Sequence, residues 1–277
     1  MGIIRQLIKN KIALFCIIVI MLVIALGILA PYIAPFDPNK VRIIRKYAPA
    51  SAQHLLGCDH LGRDILSRLL YGIRTTLFLA LLTMVITILI GASIGLISGY
   101  KRGWIDELIM RTCDIMLSFP SQVMILAIVG VLGVGIENVI IANIVVKWAW
   151  YSRMIRSSVI KYSRKNYILF SRAIGAPSTF ILRRHLLPNV MSEIVVLASL
   201  DTGWVILNIS ALSFIGLGIQ APTAEWGVML SEARNVMTQH PMQMVYPGLA
   251  ILIVVATFNM LGDALRDILD SKGNQYE

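Results

Sequence analysis

The sequence predicts an all-α integral membrane protein of about six transmembrane helices, and three observations carry that expectation. Hydrophobic residues fill 57% of the 277 positions and charged residues only 14%, with a mean hydropathy of +0.76. A soluble globular domain carries about a quarter charged residues. The apolar residues gather in runs of roughly twenty, the length a helix needs to cross the hydrocarbon layer. Lys and Arg gather between those runs, where the positive-inside rule and anionic lipid heads account for the net charge of +10 better than nucleic acid does. Cys16, Cys58 and Cys113 are far apart and lack a CxxC spacing, so they imply neither a disulfide framework nor a zinc site.

The first run, Ile12 to Ala30, follows a tail carrying Arg5, Lys9 and Lys11. It is longer than a signal-peptide core and runs into Pro31 and Pro35, a poor cleavage context, so it is read as a retained span entering from the cytoplasm. Further spans are expected at Leu77 to Ile97, Cys113 to Val134, Val139 to Tyr151, Val190 to Leu212 and Met244 to Leu265, the fourth being the shortest. Lys101, Arg102 and Arg111 follow the second span, and the acid-free stretch 152–189 follows the fourth; both are expected in the cytoplasm. Segments 133–138 and 213–243, poor in Lys and Arg, should face outside, which leaves both termini cytoplasmic. By parity the connection 31–76 is external in spite of Lys40, Arg42, Arg45, Lys46, Arg63, Arg68 and Arg74, because long loops translocate with positive charge. The chain thus divides into 1–76, an anchor with its external connection, and 77–277, a five-helix core carrying the cytoplasmic loop 152–189. Gly91 and Gly95 permit close helix approach and Pro120 can kink the third span, in packing or hinge roles.

Chemistry-bearing residues are sparse. No GxxxxGK[ST] or HExxH pattern occurs, so no catalytic residue is expected and the energy for any work must come from a partner. Lys147, Glu193 and Asp201 fall at membrane depth, where a charge is costly and is a functional candidate by default. They either line a polar path, with Lys147 partnering Asp201, or pair helix to helix. His60 beside Asp59 and Cys58 brings together donor types suited to a late transition metal. Asp59 to Asp64 serves equally as a turn that caps the next helix. Trp148, Trp150, Tyr151 and Trp226 are expected in an interfacial aromatic belt.

Between the fourth and fifth expected spans, Tyr167 begins the stretch YILFSRAIGAPSTFILRRHLLPN. Gly175 and Pro177 break any continuous helix, which predicts a short helix, a bend, and a second short helix entering the membrane near Pro188. Physical reasoning leaves two uses open: an apolar face seated in a partner's groove, or an amphipathic segment resting on lipid heads.

The spacing in that stretch resembles the cytoplasmic loop of ABC importer permeases: Glu-Ala-Ala, three residues, Gly, nine residues, then Ile-any-Leu-Pro. Gly175 takes the glycine position, His185 stands where Ile is usual, and Leu187 and Pro188 complete the ending; Leu169, Phe170 and Ser171 replace Glu-Ala-Ala. HLLGCDHLGRDILSRLLYGIRTTL, RTCDIMLSFPSQVMILAIVGVLGVG, SFIGLGIQAPTAEWGVMLSEAR and FNMLGDALRD are similar to permeases of dipeptide, oligopeptide and nickel importers. KWAWYSRMIRSSVI, CDHLGRD and APTAEWGVML look most like the second permease subunit of nickel importers.

The resemblance implies a type I ABC importer permease in the bacterial cell membrane, working by alternating access. It implies a second homologous permease, two ATPase subunits that use ATP and Mg, an extracytoplasmic solute-binding protein, and no cofactor held by this chain. Tyr167, Arg172, Ala173, Gly175, Pro177, Arg183, His185, Leu187 and Pro188 would then form the ATPase-coupling loop, and Glu225 with Trp226 an external gate or docking surface. Nickel or a nickel chelate is the expected cargo. A dipeptide or oligopeptide is the first alternative, and a membrane scaffold or receptor that moves nothing is the second.

Overall fold

A computed structural model describes residue 7 and residues 9–273, with side chains to Leu269. The described chain is helical, and each helix starts or stops for a local reason. Asn10 opens α1 (Lys11–Ile33) by accepting the N–H groups of Ile12 and Ala13 at 3.0 and 3.2 Å. α1 turns Phe15, Ile18, Met21 and Leu22 outward, as a helix with lipid around it does. Its inner face packs on the last long helix and on the helical segment Ile65–Ile73, where a Cβ added to Gly27 would lie 2.7 Å from Ile73.

Residues 34–64 form a connection containing one 3-10 turn, Ile43–Arg45. α2 (Ile65–Lys101) begins where Asp64 accepts the Ser67 N–H at 2.7 Å. It passes through a wide π-type turn at Arg74–Phe78 without stopping. The expected start at Leu77 is therefore corrected to Ile65, and the boundary at 76/77 falls inside a helix. Arg68 and Arg74 hide this continuation from any reading based on apolar runs.

The expected third span is broken. α3 (Gly103–Leu117) and α4 (Ser121–Leu132) meet at 86° across Pro120, which has no N–H with which to continue a helix. The expected fourth span is longer than Val139 to Tyr151: α5 runs from Ile136 to Ser163 and takes up the first part of the expected loop 152–189. Arg153, Arg156 and Lys161 interrupt its apolar character, so among the described residues four helices are apolar and long enough to cross a membrane, or five with the bent pair counted as one.

α6 (Asn166–Ala173) ends at a bend, and α7 (Ser178–Phe214) follows as one helix through a second wide turn, Ile181–Leu186. Pro188 sits just after that turn, where a locally rearranged ladder accommodates its missing N–H. The predicted second short helix is thus continuous with the expected fifth span. α8 (Trp226–Ala233) and α9 (Met242–Gly273) complete the chain.

The buried apolar core runs through α2, α5, α7 and α9. A close seam runs between α2 and α5, where a Cβ on Gly91 would lie 2.5 Å from that of Tyr151, and one on Gly95 2.6 Å from the Ser152 carbonyl oxygen. Gly99 continues the stripe against Arg156 and Val159. Gly203 and Gly262 play the same part between α7 and α9, against Asn259 and Leu200. Gly95→Val overfills its seam and is expected to destabilise the chain by about 2 kcal/mol. Gly130→Ala, with nothing within 4 Å of the new carbon, should leave thermal unfolding of the purified protein unchanged.

Candidate functional site

The stripe on α2 sets the register of α5, and that register delivers Lys147 and Tyr151 to α7. Lys147 Nζ lies 3.1 Å from Asp201 Oδ1, and Tyr151 donates its hydroxyl to Asp201 Oδ2 at 2.6 Å. The ammonium also stands 3.5 Å from the centre of the Trp204 ring and 5.7 Å from that of Trp150. Both oxygens of Asp201 are therefore engaged, and the pair is neutral and mostly buried. Beside it opens a cavity of about 470 Å³ lined by Trp150, Asp201, Trp204, Leu207 and Asn259 among others. Two of the three expected membrane-depth charges come together here. Glu193 lies apart: it accepts the Tyr162 hydroxyl at 3.3 Å and lines a second cavity of about 290 Å³ with Arg266.

At the end of the bundle that carries the 34–64 connection, Glu225 is fully buried and caps α8. It accepts the Val228 N–H at 2.8 Å and the hydroxyls of Thr76 and Ser210 at 3.0 and 3.2 Å, so one carboxylate joins the wide turn of α2, α7 and α8. Burial pushes this carboxyl above its ordinary value, and the N–H groups of Gly227 and Val228 with the two hydroxyls pull it back. Trp226 donates its backbone N–H to Thr76 Oγ1 at 3.2 Å and its ring N–H to the Leu69 carbonyl at 3.1 Å. Its ring fills the space left open by Gly72. The expected belt position is corrected: at 2% exposure Trp226 faces protein, not an interface. Neither Glu225 nor Trp226 offers a surface to a partner in this conformation.

Behind α8 sits an ionic knot that only the fold reveals. Arg63 donates to Asp59 at 2.6 Å and to Glu232 at 2.9 Å, and Arg68 reaches the same Glu232 oxygen at 2.9 Å. Both guanidiniums are about 1% exposed, so two of the positive charges of the connection are buried and matched. The donor atoms of Asp59, His60 and Glu232 lie within 4.8 Å of one another. The two guanidiniums already neutralise the two carboxylates, which leaves His60 as the uncommitted member. The space beside them is about 10 Å³, enough for about one water. The expected cap function of this stretch falls to Asp64, which holds both Ser67 and His54 Nδ1.

At the opposite end, Gly175 takes a φ of +80° and nothing lies within 4 Å of the position its Cβ would occupy. The bend is therefore a backbone requirement rather than a packing one. Gly175 and Ala176 donate N–H groups to the carbonyls of Arg172 and Ser171, closing α6 in an αL turn. Ile168, Ile181 and Leu186 anchor the segment inward, while Leu169, Phe170, Ile174 and Phe180 point out. His185 packs edge-on to Phe180 at 5.3 Å and lies 5.9 Å from the Tyr167 ring. Arg172 lies over the Tyr100 ring at 4.6 Å, tying α6 to the end of α2. Ala173, Pro177, Arg183 and Pro188 are exposed and Leu187 is half-buried. On α5, Arg156 clamps Asp106 of α3 through two hydrogen bonds of 2.6 Å, with Ser98 of α2 donating to the same carboxylate.

Sequence reasoning missed Glu232 and the Asp106–Arg156 clamp, and it placed Tyr151 in an aromatic belt where the fold buries it against Asp201. One signal was available for Glu232: a connection with more Lys and Arg than acids needs acids from another segment, and SEAR supplies one.

A bundle of helices apolar and long enough to cross a membrane, a mostly buried Lys147–Asp201 pair and an exposed apolar bend at one end fit a membrane permease subunit. Residues 91–274 match the family described as the binding-protein-dependent transport system inner membrane component, and residues 2–50 match the N-terminal transmembrane domain of oligopeptide transport permease C. The chain is 45% identical over 272 residues to the metal-staphylopine import system permease protein CntC of Staphylococcus aureus, covering 98% of this chain and 94% of that one. It is 41% identical over 254 residues to the nickel transport system permease protein NikC of Escherichia coli K12, covering 92% of each. The chain belongs to the binding-protein-dependent permeases of ABC importers, in the nickel and peptide group. Such a subunit works with a second permease, ATPase subunits that hydrolyse the ATP, and a solute-binding protein.

Glu232→Ala is expected to leave Arg63 and Arg68 sharing Asp59, with one buried positive charge unmatched, at a cost of about 3 kcal/mol. Thermal unfolding of the purified protein checks it; an unchanged midpoint would remove the knot's structural role.

Proposed function

We propose that this chain imports nickel, as the ion or as a chelate, by alternating access in a complete ABC importer. The near full-length likeness to two permeases both named for metal import is the observation that carries the cargo. Six crossings follow if the bent pair α3/α4 is one and α5 another, its charges being largely matched by Asp106, Asp114 and Asp201. The end bearing Lys101, Arg102 and the 161–184 basic residues is then cytoplasmic, as are both termini. The 34–64 connection and α8 lie outside, and the buried Glu225–Trp226 pair acts as the clasp of an external gate rather than as a docking patch. The cavity beside Lys147 and Asp201 is the cargo path.

The outward apolar residues of the α6–α7 bend are the ATPase-coupling surface, in the helix-in-groove manner. Closure of the ATPases moves α7 as a rigid body, because the bend is continuous with it. His60 contributes to no assigned metal site in this account. Peptide import remains the second reading, favoured by the match of residues 2–50 to an oligopeptide permease segment.

ATP-dependent uptake of radiolabelled nickel into proteoliposomes holding this subunit and its cognate partners tests the cargo. Accumulation that excess dipeptide leaves unchanged is expected; saturable peptide uptake without nickel uptake would overturn nickel and keep the permease. Gly175→Val adds strain of about 1–2 kcal/mol at a positive φ, a shift of roughly five- to thirty-fold between docked and undocked loops. Uptake per ATP hydrolysed should fall accordingly while assembly persists, and undiminished uptake by the variant would contradict the coupling role.

A further inference from the structure

A cavity of about 860 Å³ lies at the end of the bundle that carries the 34–64 connection. Pro31 near the end of α1, Phe36 in the connection, Phe78 in the wide turn of α2 and Ile136 at the start of α5 give it apolar walls. Arg74 and Asp37 also line it. Arg63 and Arg68 of the same region are matched by Asp59 and Glu232, whereas Arg74 is exposed and has no ion-pair partner among the described residues. Asp37 accepts the Asn39 N–H at 2.8 Å through Oδ1, and no cation among those residues pairs with it. One cavity therefore presents a cation and an anion that the protein leaves open.

The level of this cavity in the bilayer follows from α1. Its 23 residues make a helix of about 35 Å, against a hydrocarbon layer of about 30 Å. Pro31 thus falls at the boundary between acyl chains and headgroups. Tyr32, 86% exposed, stands beside it, as aromatic residues do at that boundary.

We infer that this cavity binds the headgroup of a zwitterionic phospholipid, its phosphate on Arg74 and its ammonium on Asp37. A guanidinium can meet two phosphate oxygens at once, and an ammonium has N–H groups for the carboxylate oxygen that Asn39 does not use. Thr75 lines the same cavity and donates its hydroxyl to the Ala224 carbonyl, while Thr76 beside it holds Glu225. A bound headgroup therefore braces the junction between the wide turn of α2 and the segment leading into α8. The inference rests on α1 crossing the membrane and on neither the cargo nor the coupling loop.

The complete importer, carrying a photoreactive benzoylphenylalanine at Ile136, is reconstituted in vesicles of equal parts phosphatidylethanolamine and phosphatidylglycerol, and the species captured on illumination is identified by mass spectrometry. Capture enriched in phosphatidylethanolamine is expected. Arg74→Gln should lower lipid capture about tenfold, and Arg74→Lys, which keeps the charge, should retain much of it. Asp37→Asn should leave capture in place but erase the preference for phosphatidylethanolamine, a change that a merely structural role would not produce. Captured lipid matching the vesicle composition in the wild type marks ordinary boundary lipid and overturns the site, as does capture that Arg74→Gln leaves unchanged. Suppression by soluble glycerophosphoethanolamine added outside would assign the cavity to a soluble zwitterion, and capture of the second permease would make it a subunit contact; either result overturns the lipid assignment.

Discussion

Much of the structure depends on one close approach. Gly91, Gly95 and Gly99 remove side chains from one face of α2, and the backbone of α5 fills the space. A seam this tight has one register, because a slip along either helix would drive Tyr151, Ile155 or Val159 into a neighbour. That register aims Lys147 and Tyr151 at Asp201 on α7 and sets Arg156 against Asp106 on α3. The site at membrane depth and the clamp at the basic end are thus consequences of the same packing. Beyond Tyr151, α5 is too polar to be recognised as part of a span, and its charges are tolerated because these partners lie where the seam puts them.

Apart from Glu225, which neutral donors hold, the buried charges described above are matched by opposite charges. The Arg63–Asp59–Glu232–Arg68 knot, the Arg156–Asp106 fork and the Lys147–Asp201 pair each join different helices or segments. Such pairs add little net stability compared with apolar packing, and breaking one is costly. They make the arrangement specific, and they make it switchable, since a matched pair can exchange partners without exposing a bare charge. The two wide turns lie near the two ends of the bundle, one under Glu225 and the other under the apolar bend. Irregular helix turns of this kind gather at functional sites, and these lie where α2 meets the buried Glu225 and where α7 meets the exposed apolar bend.

Much of this was legible in the residues. The apolar runs locate α1, α7 and α9, the glycine pair foretells the tight seam, Gly175 with Pro177 marks the bend, and Lys147 with Asp201 declares itself by charge at membrane depth. What was hidden has a shared cause. The early start of α2, the true length of α5 and the burial of Trp226 all depend on partners distant in sequence: Glu232 for Arg68, Asp106 for Arg156, Thr76 and Gly72 for Trp226. A local hydropathy pattern scores those residues as polar or interfacial because it cannot see what neutralises or covers them. Wide turns leave no periodic trace, since the helix resumes after them.

The central claim is that the cavity flanked by α5, α7 and α9 opens alternately to the two sides of the membrane. Cys16, Cys58 and Cys113 are all buried, so a cysteine placed at Leu207, which lines that cavity, can be labelled over a low background. The decisive measurement is labelling of Leu207→Cys in the assembled importer by a membrane-impermeant thiol reagent, with and without ATP trapped by vanadate. Labelling from one side that changes markedly with nucleotide state and is blocked by cargo is expected. Labelling that is the same in every state, and indifferent to cargo, would contradict it.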